Sequence, residues 1–152
     1  MRDYSKISPR LWTGTTGRKM RAEDHATKVV AFYLMTSPNA TMLGVYYQPI
    51  PSLTHEAGIS IEEASKALRR LHDLGFAEYD MDTETVWVCE MARHQVGETL
   101  GTRDLRHKYV LKESANIAKT PFYDRWMSRY AAPFNIPLRR PIEAQTSLRQ
   151  TS

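Results

Sequence analysis

The 152-residue chain has a single cysteine, Cys89, so it cannot form an internal disulfide or a structural zinc site built on paired thiolates. Long apolar runs are missing as well. The longest, Val29 to Met35, falls far short of the roughly 18 residues that a membrane-crossing helix needs, and no membrane partner is expected. The opening MRDYSKISPR carries no apolar stretch of the kind found in a secretory leader, and the expected location is cytoplasmic. The histidines, His25, His55, His72, His94 and His107, show no HExxH spacing and have no CxxC beside them. No metal, cofactor or catalytic residue is therefore expected. Asp80-Met81-Asp82-Thr83-Glu84 opens like a calcium loop, yet the glycine at its sixth place and the glutamate at its twelfth are both missing.

Charge is present in abundance and is unevenly spread. Residues 1–21 hold six Lys/Arg against one acid, residues 22–99 hold five against twelve, and residues 100–152 hold ten against four. An acidic centre between basic ends suits an anionic partner gripped by the flanks. The same distribution also serves solubility.

Periodicity divides the chain into elements. Ala26, Val29, Val30, Tyr33 and Leu34 recur at helical spacing over Glu23 to Met35, and Ser37-Pro38-Asn39 stops that helix. Gly44 to Gln48 reads as a short aromatic strand ended by Pro49. Pro51 to Ser60 reads as a short helix closed by Gly58. Ser60-Ile61-Glu62-Glu63 is a capping box that opens a second helix over 61–74, with Ile61, Ala64, Ala67, Leu68 and Leu71 on its inner face and Gly75 at its end. Phe76 to Asp80 and Thr85 to Met91 form a hairpin around an acidic link. Helices are expected over Thr102 to Ala118 and after Thr120-Pro121.

Helix, strand, short helix, turn, longer helix and hairpin is the order of a winged helix-turn-helix. The expected fold is mainly α with a small β-hairpin, a winged helix-turn-helix with additional C-terminal helices. Its parts are a basic N-terminal arm (1–21), the winged-helix domain (22–99), a C-terminal helical extension (100–132) and a flexible proline-containing tail (133–152).

A resemblance supports this reading. Trp12-Thr13-Gly14, Thr16-Gly17, Tyr33 to Pro38, Gly44, Tyr46-Tyr47, Ala57-Gly58, Ser65-Lys66-Ala67-Leu68 and Val86-Trp87-Val88 are similar to the N-terminal domain of phage replication proteins of the replisome-organiser or helicase-loader type. The resemblance covers Trp12 to about Gly97. It implies a non-enzymatic role at a phage or prophage origin, either binding duplex DNA or helping install a replicative helicase. Two alternatives stand beside it. One is a protein-binding or self-associating module that docks on a replication factor without reading DNA; the other is a transcriptional repressor.

On the helix over 61–74, Lys66 and Arg69 are candidates for phosphate, and Ser65 and Arg70 for a base edge. Glu62 and Glu63 at its start, with Asp80, Asp82 and Glu84 in the hairpin, oppose a DNA backbone, which moves phosphate contact toward the basic flanks. There Arg18, Lys19 and Arg21 precede the first helix, and Arg103, Arg106 and Lys108 follow the hairpin. Tyr109, Tyr123, Trp126 and Tyr130 could stack on unpaired bases, but packing of the last helices onto the domain or onto a second subunit is the preferred reading. The segment GTTGRKMR (14–21) is not a phosphate loop, because only two residues separate its glycines and its lysine is followed by methionine. A tight turn carrying three cations is the expectation there.

Overall fold

Helices α1 (Arg10–Thr13), α2 (Thr15–Met20) and α3 (His25–Thr36) come first in the computed structural model, which describes residues 2–138. Strand β1 (Val45–Tyr47), helices α4 (Ile50–Ala57) and α5 (Ile61–Asp73), and strands β2 (Ala77–Asp80) and β3 (Thr85–Val88) follow. Helices α6 (Met91–Gln95), α7 (Leu105–Ile117) and α8 (Tyr123–Tyr130) complete the described chain. The protein is mainly helical, with a three-stranded antiparallel sheet in the order β1-β3-β2.

Local chemistry sets most boundaries. Asp24 caps α3 by accepting from the Thr27 amide at 2.8 Å. The capping box of α5 is formed in both directions: Ser60 Oγ accepts from the Glu63 amide at 3.1 Å, and the Glu63 carboxylate accepts from the Ser60 amide at 2.9 Å. Gly58 ends α4 at φ +68°, a left-handed conformation open to glycine at little cost.

Strand β3 lies at the centre and is buried along its whole length, so its alternating side chains enter two different cores. Val86 and Val88, with Tyr46 of β1, join Val30, Leu34, Leu53, Ala64, Leu68 and Leu71 from α3, α4 and α5. Trp87, with Val45 of β1, joins Val110, Ile117, Trp126 and Tyr130 from the C-terminal helices and Phe134 from the segment after them. The sheet is thus covered by helices on both faces, and a period of two along one strand sorts the chain into two layers.

Three expectations change. The strand after the hairpin does not reach Met91: pairing with β1 ends at Val45↔Trp87, and Met91–Gln95 turns helical. There Met91 enters one core and Ala92 the other. Residues 133–136 are not tail, because Phe134 is fully buried and Ile136 nearly so, while the Leu100 amide donates to the Pro133 carbonyl at 2.9 Å; Pro137 and Leu138 are exposed. The remainder of the expected tail, 139–152, lies outside the described residues. GTTGRKMR is not a tight turn but the junction of two short helices. Gly14 joins them with an extended backbone, and Gly17 is buried where a Cβ would stand 1.9 Å from the Leu11 carbonyl oxygen. Only glycine permits α2 to approach α1 so closely.

Candidate nucleic-acid interface

Helix α5 turns Ala64, Ala67, Leu68 and Leu71 inward, which leaves Lys66 and Arg69 exposed and Ser65 and Arg70 partly covered. Two of these four side chains already have partners. The Arg70 guanidinium grips Glu23 through Nε at 3.0 Å and Nη2 at 2.6 Å, and Asp73 stands 3.5 Å away. Glu23 has only 10% of its side chain exposed, and the hydrogen bonds from Arg70 hold its carboxyl below the usual carboxylate range. Lys66 lies 3.8 Å from Asp24, the cap of α3. A forked, charge-assisted clamp of this kind orients Arg70 along the protein surface instead of toward a base. Arg69 has no carboxylate within 4.0 Å among the described residues.

The Glu23–Arg70 clamp also places the end of α2 beside the second half of α5. Met20 is buried in the same core as Ala67 and Leu71, and the Glu23 amide donates to the Met20 carbonyl at 3.1 Å. Arg18, Lys19 and Arg21 are exposed there with no ion pair among the described residues. Arg21 donates only to the Trp12 carbonyl, at 3.5 Å. Arg18, Lys19 and Arg21 thus cluster within four residues, just ahead of the Glu23 that Arg70 holds.

The basic residues after the hairpin do not join them. Arg106 is consumed locally: its guanidinium holds Asp104, the cap of α7, at 2.9 and 3.1 Å and also donates to the Val96 carbonyl at 2.8 Å. Arg103 and Lys108 are exposed, but α7 packs through Val110 and Ile117 on the Trp87 side of the sheet, opposite α5.

Of the later aromatics Trp126 and Tyr130 are structural, Tyr123 is half-buried and Tyr109 stays exposed. Trp126 is fully buried and donates from Nε1 to the Leu43 carbonyl at 3.0 Å, and Tyr130 donates to the Cys89 carbonyl at 2.6 Å. Arg125 clamps Glu78 at 2.8 Å and lies over the Trp87 and Phe122 rings. Both rings are buried, so neither is presented to a base. At the hairpin turn the Asp80 carboxylate accepts from the amide and hydroxyl of Thr83, at 2.8 and 2.6 Å. The Glu84 carboxylate accepts from the Tyr47 hydroxyl at 3.0 Å. Asp82 stays exposed, so the turn presents negative charge. The Cys89 thiol is buried and pushed up to about 11, chiefly by desolvation and next by the Glu78 carboxylate. No group of three His, Cys, Asp or Glu side chains gathers as a metal would need among the described residues.

Trp12 and Lys28 line a groove of their own with Arg21 and Phe32, between α1, α2 and α3, though neither stands out in the sequence as a contact residue. Trp12 is 58% exposed, with its ring tilted on Phe32 of α3 at 5.4 Å. The one sequence signal for it is a tryptophan two residues ahead of a glycine-rich basic segment. No protein-family model, curated protein or solved structure matches this chain.

Proposed function

We propose that the protein is a non-enzymatic, cytoplasmic DNA-binding protein of winged helix-turn-helix type, serving phage or prophage replication. The observation that carries the DNA reading is the set of cations Arg18, Lys19 and Arg21 at the end of α2, exposed and unpaired among the described residues, just ahead of the Glu23 that Arg70 of α5 clamps; Arg69 of α5 is likewise unpaired among the described residues. The order α3-β1-α4-α5-β2-β3 with an antiparallel β1-β3-β2 sheet supports the winged-helix assignment. In this reading α5 is the recognition helix, Arg69 reaches the duplex from it, and the α2 cations hold phosphates. The acidic hairpin turn stays clear of the backbone. The replication assignment rests on the sequence resemblance.

The test is duplex binding measured over a range of salt. Phosphate contacts make log K fall linearly with log salt, by about 0.9 per contact. Reversal of Arg18, Lys19 and Arg21 to glutamate is expected to flatten that slope by about one unit for each phosphate that is no longer held. Undetectable binding at about 50 mM salt and micromolar protein, where even sequence-independent binding registers, sinks the reading.

A protein-docking role is favoured by one feature. Ile61 opens α5 with 63% of its surface exposed, beside Glu62 and Glu63, at the helix end that would lie nearest the bases. A helicase or a second copy of the chain is the partner this feature fits, and cross-linking from position 61 in the presence of each would reveal it.

A further inference from the structure

We propose that the groove between α1, α2 and α3 binds single-stranded nucleic acid, with an unpaired base stacked on Trp12 and its phosphates against Arg18, Arg21 and Lys28. The groove has a volume of about 110 Å³, and Leu11, Trp12, Met20, Arg21, Lys28 and Phe32 are among its walls. Its floor is apolar and its rim is cationic.

The Trp12 ring is held in place without being covered. Phe32 lies tilted at 39° against it, Gly17 lets α2 close on the backbone of residues 11 and 12, and Arg21 donates to its carbonyl. More than half of the residue still faces solvent. An aromatic face fixed beforehand stacks with little loss of rotamer freedom, and every base has a π face to offer it.

Charge selects the class of ligand. Between Arg10 and Lys28 the chain carries five cations and two acids. Both acids are engaged elsewhere: Glu23 is clamped by Arg70, and Asp24 caps α3 and neighbours Lys66. Arg18, Arg21 and Lys28 have no carboxylate within 4.0 Å among the described residues. Arg21, the C-cap of α2, and Lys28 of α3 both line the groove, and Arg18 stands one turn before Arg21, so cations flank the aromatic pair from both helices. A protein partner would need only the apolar floor; a nucleotide strand uses both floor and rim.

The inference rests on the DNA reading above for the sign of its ligand, and Trp12 makes it separately testable. Trp87 and Trp126 are buried, so quenching of tryptophan emission by oligothymidylate reports on Trp12. The wild-type protein should quench on titration. By anisotropy of a labelled oligothymidylate, Trp12→Ala should weaken binding by about tenfold or more, the loss of one stacked base, and Trp12→Phe should retain most of the affinity. Duplex affinity should be unchanged in both variants, and Trp12→Phe, which keeps an aromatic ring on Phe32, should keep the wild-type melting temperature. Wild-type affinity in Trp12→Ala overturns the proposal. So does a loss of self-association in that variant with oligothymidylate binding intact, which would mark the groove as a protein contact. Binding of oligothymidylate without any duplex binding would uphold the groove and sink the duplex reading; the reverse result would sink the groove alone.

Discussion

Asp104 shows how a single carboxylate ties charge to stability. Its carboxyl is held down at about 2, from an ordinary value of 3.8, first by the Arg106 guanidinium and then by the Arg106 amide that it caps. Glu23 is lowered by Arg70, and Asp24 by hydrogen bonds from Thr27. A carboxyl depressed in the folded state stabilises the fold fully above its unfolded value, and that contribution is lost as pH falls through the folded value. The melting temperature should therefore drop as pH is lowered from 3.8 toward about 2. Asp104→Asn keeps a good helix cap but removes the ion pair, so its melting temperature should depend less on pH over that interval. Identical wild-type and variant profiles would show that the Asp104–Arg106 pair contributes nothing to stability. Arg70 and Arg106 also mark the limit of reading single residues in sequence. Each has the look of an unpaired surface cation, but the partner of Arg70 lies 47 positions away at Glu23, and that of Arg106 is the cap of its own helix.

At the scale of elements, what was legible is what local chemistry dictates. The α5 capping box, the glycine that ends α4 and the helical period of α3 all act within a few residues, so the sequence displays them directly. The end of β3 is different. Residues 85–91 have strand composition throughout, yet the strand stops at Val88, where Val45 and Ala77, the first residues of its partners β1 and β2, leave nothing further to pair with. The burial of Phe134 and Ile136 was hidden for the same reason, since only the assembled Trp87 face supplies the apolar surface that covers them. The two layers share β3 and should unfold together. Trp126→Ala should cost about 3–5 kcal/mol, the usual penalty for emptying a large aromatic site, in urea denaturation followed by circular dichroism. Phe134→Leu should shift the midpoint the same way by less. A biphasic transition in which the α3–α5 layer outlasts the C-terminal one would show that the sheet does not couple them.

For the whole molecule, the sheet decides which basic residues can act together. Sequence charge alone groups Arg18, Lys19 and Arg21 with Arg103, Arg106 and Lys108, because both sets flank an acidic centre. Folding separates them: the first set sits beside α5, while the second lies on the far layer with Arg106 already clamped to Asp104. A straight duplex lying along α2 and α5 cannot also contact α7 across the sheet. Reversal of Arg103 and Lys108 to glutamate is therefore expected to leave the salt slope of duplex binding unchanged, since a slope counts only phosphates in contact. Affinity at a single low salt should fall slightly, because distant charge still steers association through the field of the whole molecule. The equivalent reversal at Arg18, Lys19 and Arg21 should change both quantities. If the Arg103 and Lys108 variant flattens the slope as strongly as the α2 variant does, the duplex bends around both layers or the interface lies on α7. Reversal of Arg69 alone separates those cases: its slope should fall if α5 is in contact, and should stay unchanged if the DNA lies only against α7.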